Sequence, residues 1–224
     1  ADARLETTPQ AALRETYSTI EEARAELVAL FFVSNPVLAD LGLVEREHQA
    51  EVVRAEYEAF ARAALVQLRR VREGSQLEED HMRSRQLIVR WLMTHAHGVQ
   101  ERWRDGKTFY VVTDPRAFHD GVGRLLAEVQ RVKSQGDYTA AKALVETYGV
   151  HFDPALRDEV VARVQRVHLP SYTGFVMPEL TAVRDAAGAI VDVTIAYPLD
   201  FTAQMLRYSG VLAPGAGALM SCPR

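Results

Sequence analysis

Residues 18–33 read STIEEARAELVALFFV, a polar and acidic beginning followed by an uninterrupted apolar run. Apolar side chains such as Ile20, Leu27 and Leu30 recur every three or four residues, as they do on one face of an α-helix. Ser18 and Glu21 have the spacing of a capping box, which predicts a helix that begins near Thr19. Because Leu27 to Val33 is apolar on every side, we expect this half of the helix to lie deep in a core.

The segments on both sides of this helix repeat the same period and end at capping residues. Thr8-Pro9 begins a short helix before it, and Asn35-Pro36 begins another that Gly42 ends. Further helices are predicted at about 45–72, 77–95, 115–135, 138–148 and 154–168. Asp105-Gly106 between two apolar runs predicts a small hairpin near 100–113.

Beyond residue 169 the pattern changes from helix to strand. Apolar runs at 174–180 and 189–197 flank a turn at 185–188, and Pro178 indicates an edge strand or a bulge. A lone hairpin is marginally stable, so this segment should pair with other strands. We therefore predict a mainly α (α+β) fold. Residues 1–169 would form a helical bundle, and residues 170–224 a β-hairpin, a short helix near 200–208 and a mobile tail.

The composition is that of an ordinary globular protein, with 48% apolar and 25% charged residues in 224 positions. A formal charge of −4 and a pI near 6.0 argue against a nucleic-acid partner. The longest apolar stretch is too short to span a bilayer, so no membrane association is expected.

The single cysteine, Cys222, fits the cytoplasm as the first choice and leaves a periplasm open. A chain beginning at Ala1 is expected to be a mature product or an excised fragment.

Two groups of residues could carry chemistry. Glu22 and Glu26 lie four apart on the predicted helix, beside Glu21, so their carboxylates share a face. Carboxylates that enter a core need a metal, an arginine or hydrogen-bond donors, although a solvated first turn explains the same pattern. His81 and Arg85 also lie four apart, and their alternative is an exposed charged turn.

Gly121-Val-Gly123 has only part of a nucleotide-binding pattern. It lacks a third glycine and a strand leading directly into it. A dinucleotide site is therefore not expected there.

The stretch Ser18-Thr-Ile-Glu-Glu-Ala-Arg-Ala-Glu resembles the signature Glu-Glu-x-Arg-Ala-Glu/Asp of the dipeptidyl peptidase III family of zinc-dependent exopeptidases. The segments 78–86, 134–149 and 172–178 resemble further segments of bacterial members, in the same order, so the resemblance covers roughly residues 15–210. It implies that residues 1–169 belong to an upper, catalytic lobe and that residues 170–224 return to a lower lobe.

The resemblance also implies a role for each candidate residue. Glu22 would be the third zinc ligand, while Glu21 and Glu26 would orient the two ligand histidines. His81 would stabilise the developing oxyanion, and Arg85 would help to hold the peptide. Animal members have a cysteine where this chain has Ala23, a position outside the ligand set.

The zinc-binding hexapeptide of that family, His-Glu-x-x-Gly-His, occurs nowhere in these residues. In the family it precedes the glutamate signature, so we expect the chain to begin just after it. The general-base glutamate and both histidine ligands would then be missing, and the chain alone should be inactive. Its partners would be short peptides as substrate and the remainder of a parent chain.

The alternative hypothesis is a stand-alone helical module whose acidic patch binds another protein. A part of a larger protein should show unpaired strand edges near Val176 and Ile195, and a helix at 27–33 that is partly uncovered. A self-contained module should show neither feature.

Overall fold

The computed structural model describes residues 7–169 and 176–209. The chain divides into two compact units, residues 1–168 and 169–224, and each is described here by itself. As predicted, the fold is mainly helical with small antiparallel sheets. None of the described helices combines the length and apolar character that crossing a bilayer requires.

The described part of the first unit contains ten main elements along the chain. In order they are α1 (Pro9–Leu13), α2 (Tyr17–Phe32), α3 (Val37–Asp40), α4 (Gln49–Val66), α5 (Asp80–His95), β1 (Val99–Arg104), β2 (Lys107–Val112), α6 (Pro115–Gln135), α7 (Tyr138–Leu144) and α8 (Pro154–Arg166). A π-helical turn, Val145–Val150, extends α7 beyond the helix predicted there.

Side-chain caps set several of these boundaries as the sequence predicts. Thr8 accepts a hydrogen bond from the backbone N–H of Ala11 at 3.2 Å, and Pro9 follows it as the first helical residue. Asp114 and Asp153 have the same role ahead of Pro115 and Pro154.

The predicted capping box of α2 is wrong. The helix begins at Tyr17, and its preceding residue Thr16 has helical backbone angles and makes no side-chain cap. A 3₁₀ turn, Arg14–Thr16, leads directly into the helix, so Ser18 lies inside it. Glu21 is therefore free to bind cations instead of the backbone.

Helix α2 packs against α5 and α6 and lies at the centre of the first unit. Leu27 is fully buried and Leu30 is 6% exposed, but Phe32 is 48% exposed. The prediction of burial on every side was therefore only partly right, because one side of the helix end is uncovered by the described residues.

The two glycines of Gly121-Val-Gly123 allow α6 to approach its neighbours. A Cβ at Gly121 would lie 2.4 Å from the Cβ of Ala96, and one at Gly123 would lie 3.0 Å from the ring of Phe31. Their physical role is therefore close packing of α6 on α5 and α2.

Strands β1 and β2 form the predicted hairpin. Asp105 and Gly106 both have positive φ, as a two-residue turn of this kind requires. Glu159 of α8 fastens the hairpin, because its carboxylate accepts from the N–H of Thr108 at 2.9 Å and from the Thr108 hydroxyl at 2.8 Å.

The described part of the second unit contains β3 (Glu179–Arg184), β4 (Ile190–Ala196) and α9 (Phe201–Tyr208). β3 and β4 pair antiparallel with an irregularity between Val183 and Arg184, and Pro178 lies just before the strand. Every residue of β4 is exposed, including Val191 and Ile195. The expected tail and most of the segment 172–178 lie outside the described residues.

Candidate active site

A line of polar contacts joins α2 to α5 on one face of the central helix. Thr19, Glu22 and Glu26 lie on successive turns of α2, so their side chains share that face. The buried Thr19 hydroxyl donates to the carboxylate of Asp80 at 2.5 Å, which ties the beginning of α5 to α2.

The beginning of α5 is fixed by Glu79. Its carboxylate accepts from the backbone N–H groups of His81 and Met82, both at 3.0 Å. His81 consequently lies in the first turn of the helix, where its side chain reaches Glu22: the two groups are joined by a contact of 2.9 Å between His81 Nδ1 and Glu22 Oε2. The Glu22 side chain is 33% exposed and that of His81 is 61% exposed, so both are accessible from solvent.

Glu26 is the most enclosed acid of the group, with a side chain 17% exposed. The fully buried Ser84 hydroxyl lies 2.8 Å from Glu26 Oε2, and an Arg85 guanidinium nitrogen lies 3.3 Å from Oε1. Arg85 also donates to the side-chain oxygen of Gln67 at 3.2 Å. Burial raises the pKa of Glu26 above its ordinary value, while the Ser84 hydrogen bond and the charge of Arg85 oppose that rise.

Glu21 has a different environment, toward α6. Arg24 Nε lies 3.2 Å from Glu21 Oε1, and Lys133 of α6 contacts Oε2. Hydrogen bonding to Arg24 lowers the pKa of Glu21 to about 2 against the effect of burial, and Lys133 contributes in the same direction. Of the five residues identified in the sequence, the contacts thus join Glu22 to His81 and Glu26 to Arg85, with Glu21 directed to another helix.

A pocket of about 370 Å³ opens beside the Glu26 carboxylate. Leu30, Val33 and Phe60 are among its apolar lining residues, and Glu56 and Arg85 also line it.

The Glu22 carboxylate suits a zinc ion, because carboxylate oxygens are common zinc ligands. It fits as part of a site: His81 contacts Oε2, which leaves Oε1 for a metal. Within the described ranges, the one group of three ligand-type side chains close enough to share an ion is Glu45, Glu47 and His48, in the exposed turn just before α4. The described residues around Glu22 therefore provide an incomplete ligand set.

The sequence analysis missed several residues that build this site. Spacing could have pointed to Thr19, because it lies one turn before Glu22, and to Ser84, because it lies on the same helix face as His81. Nothing in the local sequence indicates Gln67 or Lys133, which reach the site from other helices.

Comparison with known families identifies the family to which the chain belongs. The family model described as Peptidase family M49 matches residues 4–169, which is most of the chain. The chain belongs to peptidase family M49. The match includes the whole of α2, α5 and α6.

Two curated M49 relatives come from rodents. The chain is 30% identical over 162 residues to dipeptidyl peptidase 3 of Mus musculus, and it has the same identity over the same length to that of Rattus norvegicus. Each alignment covers 65% of this chain and 22% of the relative. The chain thus spans about a fifth of the length of the curated relatives it matches.

Solved structures show the same fold. The dipeptidyl peptidase III of Caldithrix abyssi superposes with a TM-score of 0.54 at 25% identity, over 71% of this chain and 27% of that one. The enzyme of Corallococcus sp. strain EGB gives a TM-score of 0.53 at 22% identity, over 71% and 26%, and so supports the fold alone.

Proposed function

We propose that this chain is part of a zinc-dependent dipeptidyl peptidase that removes dipeptides from the amino ends of short peptides. Membership of M49 supports a peptidase, and the names of the matched relatives support dipeptides as the product. The observation that carries the proposal is the contact of 2.9 Å between the accessible Glu22 carboxylate and His81.

In this proposal Glu22 provides one of three zinc ligands. The two histidine ligands and the general-base glutamate come from a His-Glu-x-x-Gly-His motif outside the printed sequence, so the chain alone is inactive. When bound, zinc would polarise the scissile carbonyl and lower the pKa of a water molecule. Glu21 and Glu26 would accept hydrogen bonds from the ligand histidines and so fix their ring orientation.

His81 and Arg85 act on the substrate. Glu22 holds the His81 ring through Nδ1, so Nε2 remains for a second partner. A hydrogen bond donated from Nε2 to the developing oxyanion would stabilise the transition state. Arg85 is held in place by Glu26 and Gln67, so its remaining donors can bind a peptide carbonyl or carboxylate.

The alternative, a stand-alone interaction module, is less well supported. Phe32 is 48% exposed at the end of α2, and both outer edges of the β3–β4 hairpin lack a partner strand among the described residues. The exposed Phe32 and the strand edge at Ile195 match the expectation for a part of a larger protein, whereas Val176 precedes β3 and belongs to no strand. The assignment of residues 1–169 and 170–224 to an upper and a lower lobe, and a cytoplasmic location, remain predictions.

The test uses the full-length natural protein that contains this chain. Zinc content and hydrolysis of a dipeptidyl arylamide are measured for the wild type, Glu22→Ala and His81→Gln. Glu58→Ala is the matched control, because Glu58 is a surface glutamate that pairs with Arg54 on α4. We expect Glu22→Ala to lose both zinc and activity, and His81→Gln to keep zinc while kcat falls about 10²–10³-fold. Zinc and activity that survive Glu22→Ala would overturn the role of Glu22 as a ligand, and a full-length protein that binds no zinc and hydrolyses no dipeptidyl arylamide would favour the interaction module.

A further inference from the structure

An ion pair between α2 and α6 holds the first carboxylate of the signature. Lys133 of α6 contacts Oε2 of Glu21, and both side chains are largely enclosed, at 20% and 29% exposure. Arg24 contacts the same carboxylate mainly through Oε1. One anion is therefore bound by two cations that belong to different helices.

The position of Lys133 follows from the way α6 ends. Gly136 takes a left-handed conformation with φ of 63° and stops the helix, which leaves Lys133 in its last turn. The carboxylate of Asp137 begins α7 by accepting from the backbone N–H of Ala140 at 3.0 Å, and it also accepts from Arg131 of α6 at 3.0 Å. The segment 134–149, which the resemblance singles out without a role, thus fixes the turn that presents Lys133 to Glu21.

The two cations constrain Glu21 differently. Arg24 lies three residues away on the same helix, so the carboxylate and the guanidinium can swing together over the surface of α2. Lys133 is anchored in a helix that packs on α2, and it fixes the direction of the carboxylate relative to the core. An ionised carboxylate offers about four acceptor positions. The Arg24 Nε–H is shared between both oxygens, so capacity remains for one further donor.

We propose that Lys133 is a positioning residue for the metal centre. It holds the Glu21 carboxylate in the orientation from which Glu21 accepts the ring N–H of a ligand histidine. The inference rests on the proposed function, since it requires that the full-length protein binds zinc through Glu22.

The test measures the dissociation constant for zinc in the full-length protein, by competition with a chelator of known affinity. Lys133→Met removes the charge and keeps the side-chain stem, while Lys133→Arg keeps the charge. Lys142→Met is the control, because Lys142 is an exposed lysine on α7 that pairs with Glu146. The urea midpoint of each variant shows that it is folded, and Lys133→Gln replaces Lys133→Met if the latter is not.

Loss of a group that hydrogen-bonds a metal ligand typically costs 10–100-fold in affinity. Lys133 acts one step further out, through Glu21, so we expect Lys133→Met to raise the zinc dissociation constant by about 10-fold, the lower end of that range. Lys133→Arg and Lys142→Met should leave it unchanged. Glu21→Gln should have an effect of similar size, and the double variant Glu21→Gln/Lys133→Met should be no weaker than Glu21→Gln alone, because both changes remove one interaction.

Unchanged affinity in Lys133→Met, with a loss in Glu21→Gln, would overturn the positioning role and leave the proposed function intact. Additive losses in the double variant would overturn it equally. A full-length protein whose zinc content does not depend on Glu22 would remove the proposed function, and the role of Lys133 with it.

Discussion

Replacement of Ser84 by alanine tests the line of contacts between α2 and α5 directly. Ser84 is fully buried, and its hydroxyl lies 2.8 Å from a carboxylate oxygen of Glu26 and 3.0 Å from the carbonyl oxygen of His81. Ser84→Ala removes this donor without introducing a clash, because alanine is smaller and suits a helix interior.

The expected loss combines two opposing effects. A hydrogen bond to a charged group contributes about 1.5–3 kcal/mol to stability. Alanine regains about 0.5 kcal/mol through its higher helix propensity, and Arg85 stays beside Glu26 at 3.3 Å. We therefore expect Ser84→Ala to lower the free energy of unfolding by about 1.5 kcal/mol at neutral pH.

The loss should depend on pH. Burial raises the pKa of Glu26 in the folded protein above its ordinary value of 4.5. Protonated Glu26 therefore contributes stability below pH 4.5, and this contribution is lost as the pH rises through the pKa of the folded state. Ser84 opposes the rise, and without it the pKa of Glu26 rises further. The difference between wild type and variant should therefore be largest at pH 7 and smaller near pH 4, where Glu26 is protonated.

Urea unfolding followed by circular dichroism at both pH values measures these free energies. A double-mutant cycle with Glu26→Gln isolates the pair, and we expect a coupling energy of about 1 kcal/mol. Thr94→Ala is the control, because the Thr94 hydroxyl donates to the backbone carbonyl of Arg90 on its own helix. A coupling energy below about 0.5 kcal/mol, the range found for independent sites, would refute the argument.

Two further predictions concern the scaffold, and the same unfolding assay measures both. Glu159→Ala should cost about 2 kcal/mol by releasing the β1–β2 hairpin. Burial opposes ionisation of Glu159, but hydrogen bonds from Thr108 outweigh burial and lower the pKa of Glu159. The stability that Glu159 contributes should therefore disappear as pH falls below the ordinary value of 4.5. A cost of Glu159→Ala that persists in acid would contradict this explanation. Gly98→Ala should cost about 3 kcal/mol because of overpacking, since its Cβ would lie 2.3 Å from the backbone nitrogen of Phe118. Gly42→Ala, where the space is open but φ is 71°, should cost only about 1 kcal/mol, and equal losses at the two glycines would show that crowding is not the cause.

Local signals in the sequence predicted much of the fold. Thr8-Pro9, Asp105-Gly106 and Gly136 mark boundaries by their own chemistry, without help from distant residues, and the structure has boundaries at each of them. The beginning of α2 was misjudged because Ser18 and Glu21 match a capping box locally, whereas a preceding 3₁₀ turn had already started the helix.

The candidate site was less accessible to sequence reasoning. Spacing put Glu22 and Glu26 on one face of a helix, and His81 and Arg85 on one face of another, but it could not indicate that the two faces meet. Among the sequence signals, only the family resemblance assigned the two faces to one site. In the structure, Glu22 Oε2 lies 2.9 Å from His81 Nδ1. The partner of Glu21, Lys133, depends on how α6 packs on α2, which no local pattern encodes.

The exposed β3–β4 hairpin has a practical consequence for handling this chain. Leu180 and Ile195 are more than half exposed, and an edge with free backbone N–H and C=O groups is a template for pairing with another strand. At high concentration the isolated chain should therefore aggregate through residues 179–196. The solubility of the isolated chain should therefore depend on this hairpin, which belongs to a different unit from the one that contains Glu22 and His81.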